Sequence, residues 1–71
     1  MESKTKELLR YLSAGDRNAI AKRAGVHRNT LANALKRTDV MEMSHAEFVA
    51  YSAFVEFVEE KKRVIDKVKD L

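Results

Sequence analysis

The backbone of this chain has few places to break. Its only glycines stand at 15 and 25, and it contains no proline. Proline ends a helix interior, and glycine alone takes a left-handed turn without steric cost. Between those breaks the apolar residues recur at helical spacing, which predicts an all-α fold of four helices. A first helix capped by Ser3 runs to about Ser13, with Leu8, Leu9 and Leu12 on its inner side. Ala14-Gly15-Asp16 is a turn signal, and Asp16 is expected to cap a second helix over about 17–24 that buries Ile20, Ala21 and Ala24. Gly25 ends that helix, and Val26 is the expected buried pivot of the turn. A third helix then runs from about Arg28 to Arg37, with His27 at its cap.

After a short connection over Thr38 to Met43, Ser44-His45-Ala46-Glu47 matches the capping box, with Met43 and Phe48 at the staple positions. The fourth helix has no breaker and is expected to reach about Asp70, roughly 40 Å at 1.5 Å per residue. The expected organisation is one compact domain. Residues 1–43 form the helix-turn-helix region, and 44–71 form a long helix that completes the core and dimerises. Met41 and Met43 read as core filler.

A chain of 71 residues builds a small core, so self-association or a bound partner is expected. Without cysteine there is no disulfide framework and no thiolate metal site. No apolar run approaches the roughly 20 residues that span a bilayer. The N-terminus, Met-Glu-Ser-Lys-Thr-Lys-Glu, lacks the apolar stretch of a secretory signal. A cytoplasmic, nucleoid-associated location is the expectation, with no membrane partner.

Charge is unevenly shared. Residues 1–43 hold nine Lys/Arg against five Asp/Glu, whereas 44–71 hold five against six. Between Arg17 and Thr38 there are six basic residues and no acidic one. Such concentration of positive potential suits a phosphate backbone.

On a helical wheel, Arg28, Asn29, Ala32, Asn33 and Lys36 fall within roughly 140° on one side of the third helix, opposite Leu31, Ala34 and Leu35. The free face therefore carries amides and cations and no acid. Arg28 matches the O6 and N7 acceptors of guanine, and Asn29 or Asn33 the N6 and N7 pair of adenine. Ala32 permits close approach, and its methyl suits a thymine methyl. Arg17, Lys22, Arg23, His27, Thr30, Lys36 and Arg37 are the candidate phosphate contacts.

The segment from Ala21 to Leu35 resembles the helix-turn-helix of bacterial and phage repressors. The nearest pattern is the lac-repressor type, with the Cro and phage-repressor type a close relation. Ala21, Gly25, Val26, Thr30 and Leu31 match key positions. The resemblance covers about 20 residues and implies a second helix lying across the DNA backbone with a third in the major groove. Ala34 stands where a larger aliphatic is usual, and His27 where Ser or Thr is usual. The C-terminal helix does not look like the hinge and sugar-binding portions of lac-type repressors.

His27 and His45 lie far apart with no carboxylate or cysteine set at ligand spacing, so no metal site and no cofactor are expected. A chain this short encloses no pocket of the usual catalytic size, and no small-molecule substrate or enzymatic activity is expected. Glu59-Glu60-Lys61-Lys62-Arg63 reads as a solvated patch, with Glu59 and Arg63 one helical turn apart.

The fourth helix is apolar over more than half its circumference between 48 and 58. Ala50, Phe54, Phe57, Val64, Val68 and Leu71 follow a 4-3 spacing that Lys61 alone interrupts. Tyr51, Phe54, Val55, Phe57, Val58, Val64, Ile65 and Val68 are the expected dimerisation residues. The expected function is sequence-specific binding of double-stranded DNA by a homodimeric transcriptional regulator, a repressor of bacterial or phage origin. The alternative is a small helical adaptor or antirepressor that uses the aromatic surface of the fourth helix. An RNA binder is disfavoured because the reading face has no aromatic side chain to stack on unpaired bases.

Overall fold

The computed structural model describes residues 2–70, with side chains over 4–70. These residues form an all-helical array: α1 (Glu2–Leu9), α2 (Asp16–Ala24), α3 (Arg28–Lys36), a 3-10 turn at Val40–Glu42, and α4 (His45–Lys69). Leu71, the last residue of the expected stripe, lies outside the described residues.

Helix α1 starts at Glu2, ahead of Ser3, and is shorter than its periodicity suggested. Beyond Leu9 the amides of Arg10, Tyr11 and Leu12 reach back only three residues, to the carbonyls of Glu7, Leu8 and Leu9. Tightening of this kind unwinds an α-helix at its end. Thr5 and Leu8 are the α1 side chains that become fully buried, and the Thr5 hydroxyl meets the Tyr51 hydroxyl on α4 at 2.8 Å.

The start of α2 differs from expectation. Gly15 occupies the N-cap position at φ 87°, in the left-handed region, and provides no side-chain acceptor. Asp16 is instead the first residue of the helix. Its carboxylate turns back to accept the Ser13 N–H at 2.7 Å and the Lys61 ammonium at 2.9 Å. Gly15 can take the bend, which frees Asp16 to brace the turn rather than cap the helix.

The end of α2 matches expectation. Gly25 adopts φ 73°, its N–H donates to the Lys22 carbonyl, and the Val26 N–H reaches back to Ala21 at 3.0 Å. These are the paired bonds of a Schellman stop. Val26 is half-buried against the core. The short turn through His27 delivers α3 at once.

Helix α4 runs unbroken from the Ser44 cap, where both bonds of the capping box form. The Ser44 hydroxyl accepts the Glu47 N–H at 3.2 Å, and Glu47 Oε1 accepts the Ser44 N–H at 2.9 Å. Its 25 residues make the molecule elongated, with extents of 41 × 24 × 17 Å. It packs across both α2 and α3.

The core gathers Leu8, Ile20, Ala21, Leu31, Ala34, Ala50, Tyr51, Phe54 and Val58. Phe54 is the largest side chain of this cluster with no exposed surface. Phe54 and Tyr51 pack at a ring-centroid distance of 5.6 Å and a tilt of 50°, within the range where aromatic edges and faces attract. This corrects the reading of α4. Tyr51, Phe54 and Val58 are core residues of one chain and are not available as dimerisation residues.

Met41 is likewise not core filler. It stands 88% exposed in the 3-10 turn, where the Asp39 carboxylate fixes its amide at 3.0 Å. Met43 does pack against the core, and Phe48 is about half exposed. No helix of the described residues is long and apolar enough to cross a membrane.

Candidate nucleic-acid interface

The candidate surface is built by the two glycine turns. Gly25 stops α2 and His27 starts α3. His27 has extended backbone angles, and its Nδ1 accepts the Asn29 N–H at 3.1 Å. The ring thus takes the role a Ser or Thr oxygen usually fills. With Nδ1 accepting, the proton of the neutral ring sits on Nε2, where it can be donated outward. Arg28, Asn29 and Asn33 are exposed, Thr30 and Ala32 half-buried, and Leu31 and Ala34 wholly inside. The amphipathic division read from the wheel is therefore realised in α3.

An open groove of about 390 Å³ lies between the start of α3 and the turn that leads into α2. Arg28, Asn29 and Ala32 line one wall. Ser13, Ala14, Gly15, Arg17 and Asn18 line the other. Three of the four expected base readers thus share one concavity with one expected phosphate contact. Asn33 is exposed on α3 but is not part of the groove lining.

Sequence reasoning missed Asn18 and the α2 N-terminus. The signal was available in Gly15: a glycine N-cap leaves the first-turn amides without a side-chain acceptor, and Asn18 stands in that first turn.

Electrostatics favours an anion here. Asp16 is the acidic residue nearest the groove's turn, and it is already engaged. Its hydrogen bond from the Ser13 amide, then that from Lys61, hold its carboxyl below the usual carboxylate range. Arg17, Lys22, Arg28 and Lys36 have no ion pair among the described residues. The other two Lys/Arg residues among the expected phosphate contacts, Arg23 and Arg37, have carboxylate partners on α4. Arg23 lies 3.7 Å from Glu60 with both side chains more than half exposed, a loose pair. Arg37 holds Glu47 in a fork, Nε to Oε2 and Nη2 to Oε1, both at 3.2 Å. Together with the Ser44 amide, which dominates, this fork lowers the Glu47 pKa. Arg37 therefore acts as a strut from the end of α3 to the start of α4.

The rest of the expected dimerisation set divides by exposure. Val55, Phe57 and Ile65 are half-buried, while Val64 and Val68 are 58% and 61% exposed. His27 and His45 do not meet, and no group of three or more metal-binding side chains forms among the described residues. No family model, no curated protein and no solved structure matches the chain.

Proposed function

We propose that this chain binds double-stranded DNA with sequence preference, as a homodimer, and regulates transcription, most simply by occluding a promoter as a bacterial or phage repressor. The observation that carries this reading is the groove in which Arg28 and Asn29 of α3 stand exposed, with the half-buried Ala32, beside Arg17, and no carboxylate pairs those cations.

In this account α3 lies in the major groove with its N-terminal end deepest. Arg28 donates two hydrogen bonds to a guanine edge, and Asn29 both donates to and accepts from adenine. Asn33 reads further along the helix, and the Ala32 methyl sits against the groove floor. Arg17, Lys22, Thr30 and Lys36 meet phosphates, His27 donates through Nε2, and the uncapped amides at the start of α2 add their partial positive charge. Arg23 joins them when its loose pair with Glu60 opens. The phosphate contacts fix register, and only the base-facing side chains carry preference. Burial of Tyr51 and Phe54 in the chain's own core takes most of the aromatic surface away from an adaptor role.

Fluorescence-anisotropy titration of a labelled duplex against salt tests this directly. With Arg17, Lys22 and Lys36 from each of two copies, about six phosphates are neutralised. Affinity should then fall on the order of 10³-fold between about 50 and 200 mM salt. Absence of duplex binding even in dilute buffer contradicts the proposal.

A further inference from the structure

The second half of α4 has a surface that its own chain does not cover. Phe57, Val64 and Val68 lie along one line of the helix. Val64 and Val68 are more than half exposed, and Phe57, Val64 and Ile65 form an open apolar groove beside Arg23 and Glu60. Lys61, the polar interruption in the 4-3 pattern, also lines this groove, with its ammonium held by Asp16 and Ser13. The charge that interrupts the seam is therefore answered by the Asp16 carboxylate of its own chain.

The flank of this seam has an ordered charge pattern. Glu56, Glu60, Arg63 and Lys67 follow one another at three- or four-residue steps on the outward side, acidic first and basic after. All four are exposed, and of them only Glu60 has a partner among the described ion pairs, the loose contact with Arg23. A parallel copy would set like charge level with like. An antiparallel copy related by a two-fold axis near residues 61 and 62 does the opposite. Glu60 of one helix then comes level with Arg63 of the other and Glu56 with Lys67, twice over by symmetry, and Phe57 lies between the partner's Val64 and the partner's Val68. Alternating flank charges set orientation and partner in paired helices in this way.

We propose that α4 pairs antiparallel with a second copy of this chain through Phe57, Val64 and Val68, with Glu56 and Glu60 facing the partner's Arg63 and Lys67. This deepens the homodimer reading above. It moves the interface away from Tyr51, Phe54 and Val58 to the half of α4 that projects beyond the core. The interface is small, so the dimer is modest in affinity and salt-sensitive.

The test is sedimentation equilibrium of the full chain at low salt, with circular dichroism to confirm that each variant folds. Wild type shows a monomer–dimer equilibrium. Glu56→Lys and Lys67→Glu each convert two attractive contacts into repulsive ones and weaken dimerisation on the order of tenfold. The double variant E56K/K67E, which restores opposite charges at that pair, recovers most of the loss. Three results overturn the pairing: a wild type monomeric at every concentration, which would leave the stripe to a different protein; single reversals without effect; or a double variant no better than the singles. A duplex titration run alongside separates this from the DNA reading. A monomer that still binds duplex sinks the pairing and the homodimer but leaves duplex binding standing, and a charge-dependent dimer that ignores duplex sinks the DNA proposal alone.

Discussion

Lys61 reaches across the fold from α4 and places its ammonium 2.9 Å from Asp16 Oδ2 and 3.1 Å from Ser13 Oγ. Asp16 in turn holds the Ser13 amide at 2.7 Å. One side chain thus does two things. It pins the turn that forms a wall of the candidate groove, and its charge at the apolar seam of α4 is answered by Asp16. Its counterpart at the other end is the Arg37–Glu47 fork, which ties α3 to the start of α4. The orientation of the candidate surface relative to α4 rests on these two struts and on Phe54 between them.

Both struts depend on an ionised carboxylate, and both carboxyls have lowered pKa values. For Asp16 the main cause is the Ser13 amide and next Lys61; for Glu47 it is the Ser44 amide and next Arg37. A depressed folded pKa contributes stability that is complete above the usual carboxylate range. That contribution is lost as pH falls through the folded value. Urea denaturation from pH 7 downward should therefore show a midpoint that drops on the acid side. The Asp16→Asn, Glu47→Gln variant should start lower and lose less on acidification. Parallel acid limbs for the two proteins would refute the assignment.

Gly25 has a φ of 73° and open space where a Cβ would lie. Gly25→Ala should therefore cost only the left-handed conformation, about 1–2 kcal/mol, with no steric clash added. Gly25→Asn should cost less, since Asn tolerates this conformation better. Thermal melts check the order, because each kcal/mol lowers the midpoint by about 4–8 °C in a domain of this size. Equal losses for Ala and Asn would point to a cause other than backbone strain.

Phe54 and Val64 separate the core from the exposed stripe. Phe54→Ala removes a ring with no exposed surface and should cost about 3–5 kcal/mol, enough to unfold much of a chain this small. Val64→Ser, at a position 58% exposed, should leave the melting of the monomer within about 0.5 kcal/mol of wild type. A Phe54→Ala protein that stays folded with only its association changed would contradict the placement of Phe54 in the core.

Base reading and phosphate contact predict different losses. Asn29→Ala should reduce discrimination between duplexes that differ at one adenine by about 1–3 kcal/mol. Lys22→Ala should weaken all duplexes alike and reduce the magnitude of the salt slope by about 2, one for each copy in the dimer. Competition titrations on a small panel of duplexes distinguish the two. A sequence-selective loss for Lys22→Ala, or a uniform one for Asn29→Ala, would reverse their roles.

Much of this was legible in the residues. Gly25 announced the helix stop, Ser44 and Glu47 the capping box, and the α3 wheel the division between Leu31 inside and Asn29 outside. All three are local, set within a few residues of chain. The misreadings arose where a distant residue decides the outcome. Asp16 looked like a cap because an acid just after a turn is a usual cap, and nothing nearby shows that Lys61 waits across the fold. Phe54 looked like an interface residue because its periodicity is the same whichever surface covers it. Only the packing of α2 and α3 against α4 decides that it lies inside. Lys61 looked like a flaw in the stripe for the same reason: its partner lies 45 residues away. Asn18 was missed because Asp16, read as the cap, would have satisfied the amides of that first turn.

The most direct test of the central claim is selection of bound duplexes from a random-sequence pool. The account predicts enrichment of a two-fold symmetric site whose half-sites lie about one turn, roughly 34 Å, apart. It also predicts that the enriched bases change when Arg28 or Asn29 is replaced. A selected pool no different from the starting one, or an enriched site indifferent to both replacements, would contradict it.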